Sequence, residues 1–183
     1  MVASRQPKAT ILDAEGVRRA WRRIAHEVVE RQSELEALVL VGIVTRGLPL
    51  AERLRQHLKE LEAVDVPVLG LDVRSYRDDL PDGAAIPPSL PRELIRDRHI
   101  LLVDNVLFNG RTVRSAIDAL MTAGRPRSIQ LAVLIDRGHR ELPIPPDYVG
   151  KNLPTSRQEW VEVHVQEVDG EDSVRILELS SVA

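Results

Sequence analysis

Apolar residues in this chain gather in short unbroken runs, and amphipathic stretches separate the runs. Leu38 to Val44 reads LVLVGIV, Ile100 to Val103 reads ILLV, and Ser128 to Ile135 reads SIQLAVLI. A strand with one wet face alternates, so continuous runs of this length predict parallel strands buried on both faces. Val66 to Tyr76 is read as a further strand and Thr10 to Leu12 as a short strand-like entry. Between the runs the spacing becomes helical. Asp13 stands as an N-cap before a helix to about Gln32, with Trp21, Ile24, Val28 and Val29 on one side and Arg and Glu on the other. Pro49 to Leu61 is helical, and so is the stretch that begins around Thr112 or Val113. Strands alternating with helices predict βαβ units in an α/β, mostly parallel, doubly wound sheet. Trp160 to Val168 alternates, Asp169-Gly170 reads as a hairpin turn, and Val174 to Leu179 returns, so a hairpin is expected at an edge of that sheet. Asp78 to Arg92 is rich in Pro, Asp and Gly and reads as a loop; Pro143, Pro145, Pro146 and Pro154 mark a second irregular stretch.

Composition narrows the class. A chain of 183 residues with 43% hydrophobic content fits one domain, residues 1–183, with a proper core. There is no cysteine, hence no disulfide framework and no thiolate chemistry. The opening MVASRQPKAT lacks an apolar leader and no run is long enough to span a bilayer, so a cytoplasmic location without a membrane partner is expected. The net charge of −3 argues against a generic nucleic-acid binder and leaves room for a local basic patch.

Three polar motifs follow the carboxyl ends of strands, which share one edge in a doubly wound sheet. They are Thr45-Arg46-Gly47, Asp104 to Thr112, and Asp136-Arg137-Gly138-His139-Arg140; Tyr76-Arg77-Asp78-Asp79 opens the long loop. A glycine turn that leads into a helix aims N–H groups and the positive end of the helix dipole at one point, which suits phosphate. Asp104 is suited instead to sugar hydroxyls, and arginines match polyphosphate through paired donors. Alone, each motif also fits a solvated turn. Together on one edge they point to a site for a sugar and its 5′-phosphate. On the first helix, Arg19, Arg23 and His26 share a face at i, i+4 and i+7, with Arg18 and Arg22 beside them. Composition alone reads this as a solvated face paired with Glu15, Glu27 and Glu30. His139 reads as a surface histidine or a nucleotide contact.

The run VDNVLFNGRT, Val103 to Thr112, resembles the phosphoribosyl-pyrophosphate (PRPP) motif of type I phosphoribosyltransferases, usually VDDVLYTGRT. RRIAHEVVER, VGIVTRGLPLA, YRDDL, GRPRSIQLAVLIDRGHRELPI, DYVGKNLPTS and VQEVDGEDSV extend the likeness over about residues 8–179. Together they resemble the bacterial pyrimidine-operon regulators that double as uracil phosphoribosyltransferases. The resemblance implies a type I phosphoribosyltransferase-like fold, with a lid at about 77–92 and a small hood at about 136–160. It implies UMP and pyrophosphate made from uracil and PRPP, with Mg²⁺ carried by the substrate pyrophosphate and no dedicated protein cage. By the same resemblance Asp104, Asn105 and Arg137 carry catalysis, and Asp104 holds a ribose hydroxyl. Val106, Leu107 and Phe108 bind PRPP or the nucleotide together with Asn109, Gly110, Arg111 and Thr112, and these last four cradle the 5′-phosphate. Thr45 and Arg46 contact pyrophosphate. Tyr76, Arg77, Asp78 and Asp79 start the lid, and Asp136 and Arg137 belong to the hood over uracil. The family also attenuates transcription by binding leader messenger RNA of pyrimidine genes in response to UMP or UTP, as a homodimer or higher oligomer. That places Arg18, Arg19, Arg22, Arg23, His26 and Lys151 on an RNA-binding surface.

The departures bear on chemistry. Asn105 replaces the second acidic residue, Asn109 the motif threonine and Phe108 its tyrosine; Val44 stands where a polar or basic residue is usual. The lid looks several residues short, and Pro145-Pro146 stands where the family commonly carries a basic residue, as Arg-Ala. The transition state has oxocarbenium character, so a lost carboxylate lowers rate more than binding. Two alternatives follow: a catalytically silent, nucleotide-sensing RNA-binding regulator, and a purine-salvage phosphoribosyltransferase. DRGHRELP followed by VGKNLPTS disfavours the second.

Overall fold

A computed structural model describes residues 5–76 and 90–179. Leu38–Ile43, here β2, is buried at all six positions, as an unbroken apolar run requires. It lies inside a five-stranded parallel sheet of order β3-β2-β4-β5-β6. It pairs with β3 (Val68–Leu71) on one side and β4 (His99–Leu107) on the other; β4 pairs in turn with β5 (Ser128–Asp136), and β5 with β6 (Tyr148–Asn152). One face is covered by α1 (Ala14–Arg31) and α2 (Gly47–Glu62), the other by α3 (Arg111–Ala123). The Asp13 carboxylate accepts the Gly16 N–H at 2.8 Å and starts α1. The Trp21 indole N–H donates to the Leu50 carbonyl at 2.7 Å and ties α1 to α2 through the core.

Several expectations are corrected. The C-terminal hairpin does not extend the main sheet. β7 (Trp160–His164) and β8 (Ser173–Leu179) form a separate antiparallel sheet with β1 (Arg5–Leu12), in order β1-β8-β7. The N-terminal strand is longer than Thr10 to Leu12 because β8 pairs with it from Arg5 onward. No two-residue turn joins β7 to β8. A short helix, α4 (Gln166–Asp169), lies between them, because Asp169 and Asp172 accept the N–H groups of Val165 and Gln166, each at 2.8 Å. β3 stops at Leu71, where the Asp72 carboxylate accepts the Arg74 N–H at 3.0 Å and turns the chain. The Pro-rich stretch hides β6, whose strand state comes from parallel pairing with β5 and burial of Tyr148 rather than from any local pattern.

Candidate functional site: a nucleotide cleft at the carboxyl edge

β4 runs past Asp104 to Leu107, so Asp104 lies within the strand and not after it, opposite Val133 of β5. Only 7% of Asp104 is exposed. Burial pushes its carboxyl up to about 7, against the opposing effect of one hydrogen bond from the Asn105 N–H at 2.8 Å. A carboxylate held so far above its ordinary range is costly to ionise without hydroxyl donors, and it is half-poised at neutral pH.

Four residues beyond β4's buried core the chain turns. Gly110 adopts φ +92° and caps α3 with no side chain of its own. A Cβ there would meet Leu142 only at ordinary contact, so glycine is required by the backbone angle and not by crowding. The Asn109 side chain accepts the Arg111 N–H at 3.1 Å, and its carbonyl takes the Glu141 N–H at 3.0 Å. Asparagine thus closes the loop that the family closes with threonine. Arg111 and Thr112 are exposed in the first turn, and Arg111 pairs with Glu141 at 2.9 Å.

Gly47 follows β2 and starts α2, and a Cβ there would collide with the Val103 carbonyl. That close approach sets the Thr45-Arg46 loop against β4. The Val44–Thr45 peptide is cis, Thr45 is exposed, and Arg46 lines the cleft. The Arg46 guanidinium forks onto Asp169 of α4 at 2.9 and 2.6 Å. That bond raises the arginine and lowers the carboxyl from their ordinary values.

A cleft of about 470 Å³ opens between this edge and β7. It brings together Arg46, Asn105, Val106, Phe108 and Arg137, which the sequence singled out, with Trp160 and Glu162, which it did not. Arg137 is 6% exposed and donates to Thr155 Oγ1 at 3.1 Å and the Glu159 carbonyl at 2.8 Å. Its guanidinium lies 4.1 Å from the centroid of the Phe108 ring. Burial pulls it below the ordinary arginine range, while Glu159 acts the other way.

Other candidates are placed differently. Leu107 is buried in the core under α3, and only its carbonyl reaches the loop, accepting the Arg137 N–H at 2.9 Å. The Asp136 carboxylate is taken by the Gly138 N–H at 2.9 Å and Arg140 at 2.7 Å, which fold the loop. His139 bonds the Thr155 carbonyl and meets Phe108 edge-on, so it packs the hood. Tyr76 packs against the α3-side core, and Arg77, Asp78 and Asp79 lie outside the described residues, as does most of the expected lid. Among the described residues no group of three or more His, Cys, Asp or Glu is arranged to hold a metal. Trp160 and Glu162 escaped notice because the sequence assigned β7 to a distant edge.

On α1, Arg18 and Arg19 pair with Glu15, and Arg23 pairs with Glu27. Arg22 and His26 are exposed. Arg23 also donates to the Val149 and Gly150 carbonyls at 3.0 and 2.6 Å, docking α1 on β6. Tyr148 packs into the α1-side core and Val149 against the α3-side core. Strand alternation therefore puts Lys151 on the face of β6 away from α1.

A phosphoribosyl transferase domain model matches residues 8–169. The bifunctional protein PyrR of Deinococcus deserti is 57% identical over 180 residues, covering 96% of this chain and 98% of that one. The bifunctional protein PyrR of Pelotomaculum thermopropionicum is 56% identical over 174 residues, covering 93% and 96%. Among solved structures, a hypoxanthine phosphoribosyltransferase of Trypanosoma cruzi superposes with a TM-score of 0.72 at 19% identity, covering 95% of this chain and 98% of that one. At that identity the likeness speaks for fold alone. No helix among the described residues is long and apolar enough to cross a membrane. With a buried acidic strand residue, a glycine-capped turn into α3 and this similarity along its length, the chain belongs to the phosphoribosyltransferase family, among the bifunctional PyrR proteins.

Proposed function

We propose that the chain makes UMP and pyrophosphate from uracil and PRPP, and that it regulates pyrimidine genes by binding their leader messenger RNA when UMP or UTP fills the same cleft. The supporting observation is the pairing of buried Asp104 with the Gly110-capped turn on one strand–helix unit. The spacing suits a ribose whose 2′- and 3′-hydroxyls donate to Asp104 while the 5′-phosphate sits at the start of α3. Magnesium enters with the substrate diphosphate. In the forward direction the uracil nitrogen attacks C1′ as pyrophosphate leaves, and the chain's own residues position the ring, the sugar and the phosphates. Arg46 faces the leaving pyrophosphate, and Arg137, stacked on Phe108, belongs to the hood over the base.

The assay is UMP formation together with UMP binding. Trp21 is buried and Trp160 is half-exposed at the cleft, so UMP is expected to change Trp160 emission and leave Trp21 silent. Gly110→Val forces a β-branched residue to φ +92°, a strain of about 1–2 kcal/mol. UMP affinity is expected to fall by about tenfold or more as the N–H cradle shifts. Unchanged affinity in this variant would remove the turn from the site.

A second reading, a silent nucleotide sensor, is favoured by Asn105, the one lost carboxylate in the cleft. UMP binding and RNA control without UMP formation would establish it.

RNA contact by the α1 face calls for a test that spares Arg23, because Arg23 docks the helix on β6. Arg19→Ala with Arg22→Ala is expected to weaken leader-RNA binding and to flatten its salt dependence by roughly 0.7–0.9 in slope per lost phosphate contact. UMP binding should be unchanged without RNA. Gel shifts at several salt concentrations report both, and an unaltered slope would return α1 to a solvated face.

A further inference from the structure

Two arginines, one at the N-cap of α2 and one within it, are taken up by one acidic segment, α4 and the turn after it. Arg46 stands at the N-cap, and Arg53 follows seven positions later on the same face. Arg53 donates to Glu167 at 2.8 and 2.6 Å and to Asp172 at 2.9 and 2.8 Å. These bonds hold α4 on α2. Asp169, on the same short helix, accepts Nε and Nη2 of Arg46 at 2.9 and 2.6 Å. Asp169 is itself held from behind, since its Oδ2 accepts the Val165 N–H at 2.8 Å.

A guanidinium carries five N–H donors in two usable forks. Asp169 occupies the side fork, built from Nε and one Nη2 hydrogen. The end fork, built from Nη1 and the second Nη2 hydrogen, remains on a side chain that lines the nucleotide cleft. We infer that Asp169 is a positioning residue that orients the end fork of Arg46 toward the diphosphate of PRPP. This rests on the function proposed above. Two effects compete. The carboxylate removes positive charge, which opposes an anionic ligand. It also orders a long side chain before the ligand arrives, which lowers the cost of binding. The diphosphate arrives with magnesium and its charge is partly neutralised, whereas bidentate recognition depends fully on fork orientation. Ordering therefore outweighs charge.

Asp169→Asn, Arg46→Ala and the double variant are compared in the full chain. PRPP with Mg²⁺ is titrated calorimetrically, and initial rates of UMP formation are measured alongside. Asp169→Asn is expected to raise both the Kd and the KM for PRPP by about tenfold, while kcat and the KM for uracil change less than about twofold. The double variant is expected to match Arg46→Ala alone, because the carboxylate acts only through that arginine. Glu167→Gln loosens the same helix without touching Arg46 and is expected to leave PRPP binding near the parent value. In an Arg46→Lys background, which keeps charge but lacks a fork, Asp169→Asn is expected to add nothing. Tighter or unchanged PRPP binding in Asp169→Asn overturns the inference, as does a loss that adds to Arg46→Ala or is copied by Glu167→Gln. A parent chain that binds PRPP without making UMP overturns only the proposed catalysis. A parent that binds no PRPP overturns both.

Discussion

Asp104→Asn is expected to stabilise the protein above pH 7 while lowering UMP formation at least about 100-fold. The sign follows from the buried carboxyl. Its folded value of about 7 lies above the ordinary 3.8, so between these values the folded chain holds a proton that the unfolded chain has released. Stability then falls as pH rises from about 4 to about 7, and at pH 8 the ionised carboxylate costs up to about 4 kcal/mol. Asparagine keeps the shape and carries no charge, so this loss disappears. At pH 8 the variant's Tm should exceed the parent's by about 10 °C, and the gap should close below pH 4. Parallel Tm curves from pH 4 to 8 would sink the assignment. UMP binding supplies hydroxyl donors to the ionised form, so the parent's UMP affinity should rise with pH through neutrality.

Asn105→Asp is expected to raise kcat for UMP formation by about 100-fold and to change the KM for PRPP far less. Asn105 lines the cleft directly after Asp104. A second carboxylate there places negative charge near the developing oxocarbenium ion, whereas asparagine already supplies hydrogen bonding to the ground state. The gain should appear above pH 7, because two adjacent carboxyls in this buried setting resist ionising together. A flat kcat across pH 7 to 9, with UMP binding intact, would assign the rate limit to another element.

The second reading and the first thus differ at one side chain. Under the first reading, buried Asp104 is the carboxylate left to offset the positive charge developing at C1′, while Arg46 and Arg137, which line the cleft, are suited to the anionic diphosphate and the base.

Much of this architecture is written locally. Leu38 to Ile43 and Ile100 to Val103 are apolar at every position or nearly so, and such runs have no stable place except a sheet covered on both faces. Asp13 caps α1 through its own neighbour's N–H, an interaction that spans three residues. The Asn109-Gly110 turn and the α3 start are equally local, which is why the turn and the helix after it were legible before any fold was known. Tertiary structure decided what depends on distant partners. β6 has no strand pattern of its own and exists because β5 presents a free edge. β7 lines the cleft because β8 prefers β1 to the main sheet, a choice made by long-range pairing. Asp104 is pushed up to about 7 because the packed sheet edge buries it away from water. Arg23 clasps β6 and Asp169 grips Arg46, and neither pairing leaves a trace in spacing along the chain. Sequence periodicity reports which face of an element is dry; only the packed molecule determines which charged groups meet across it.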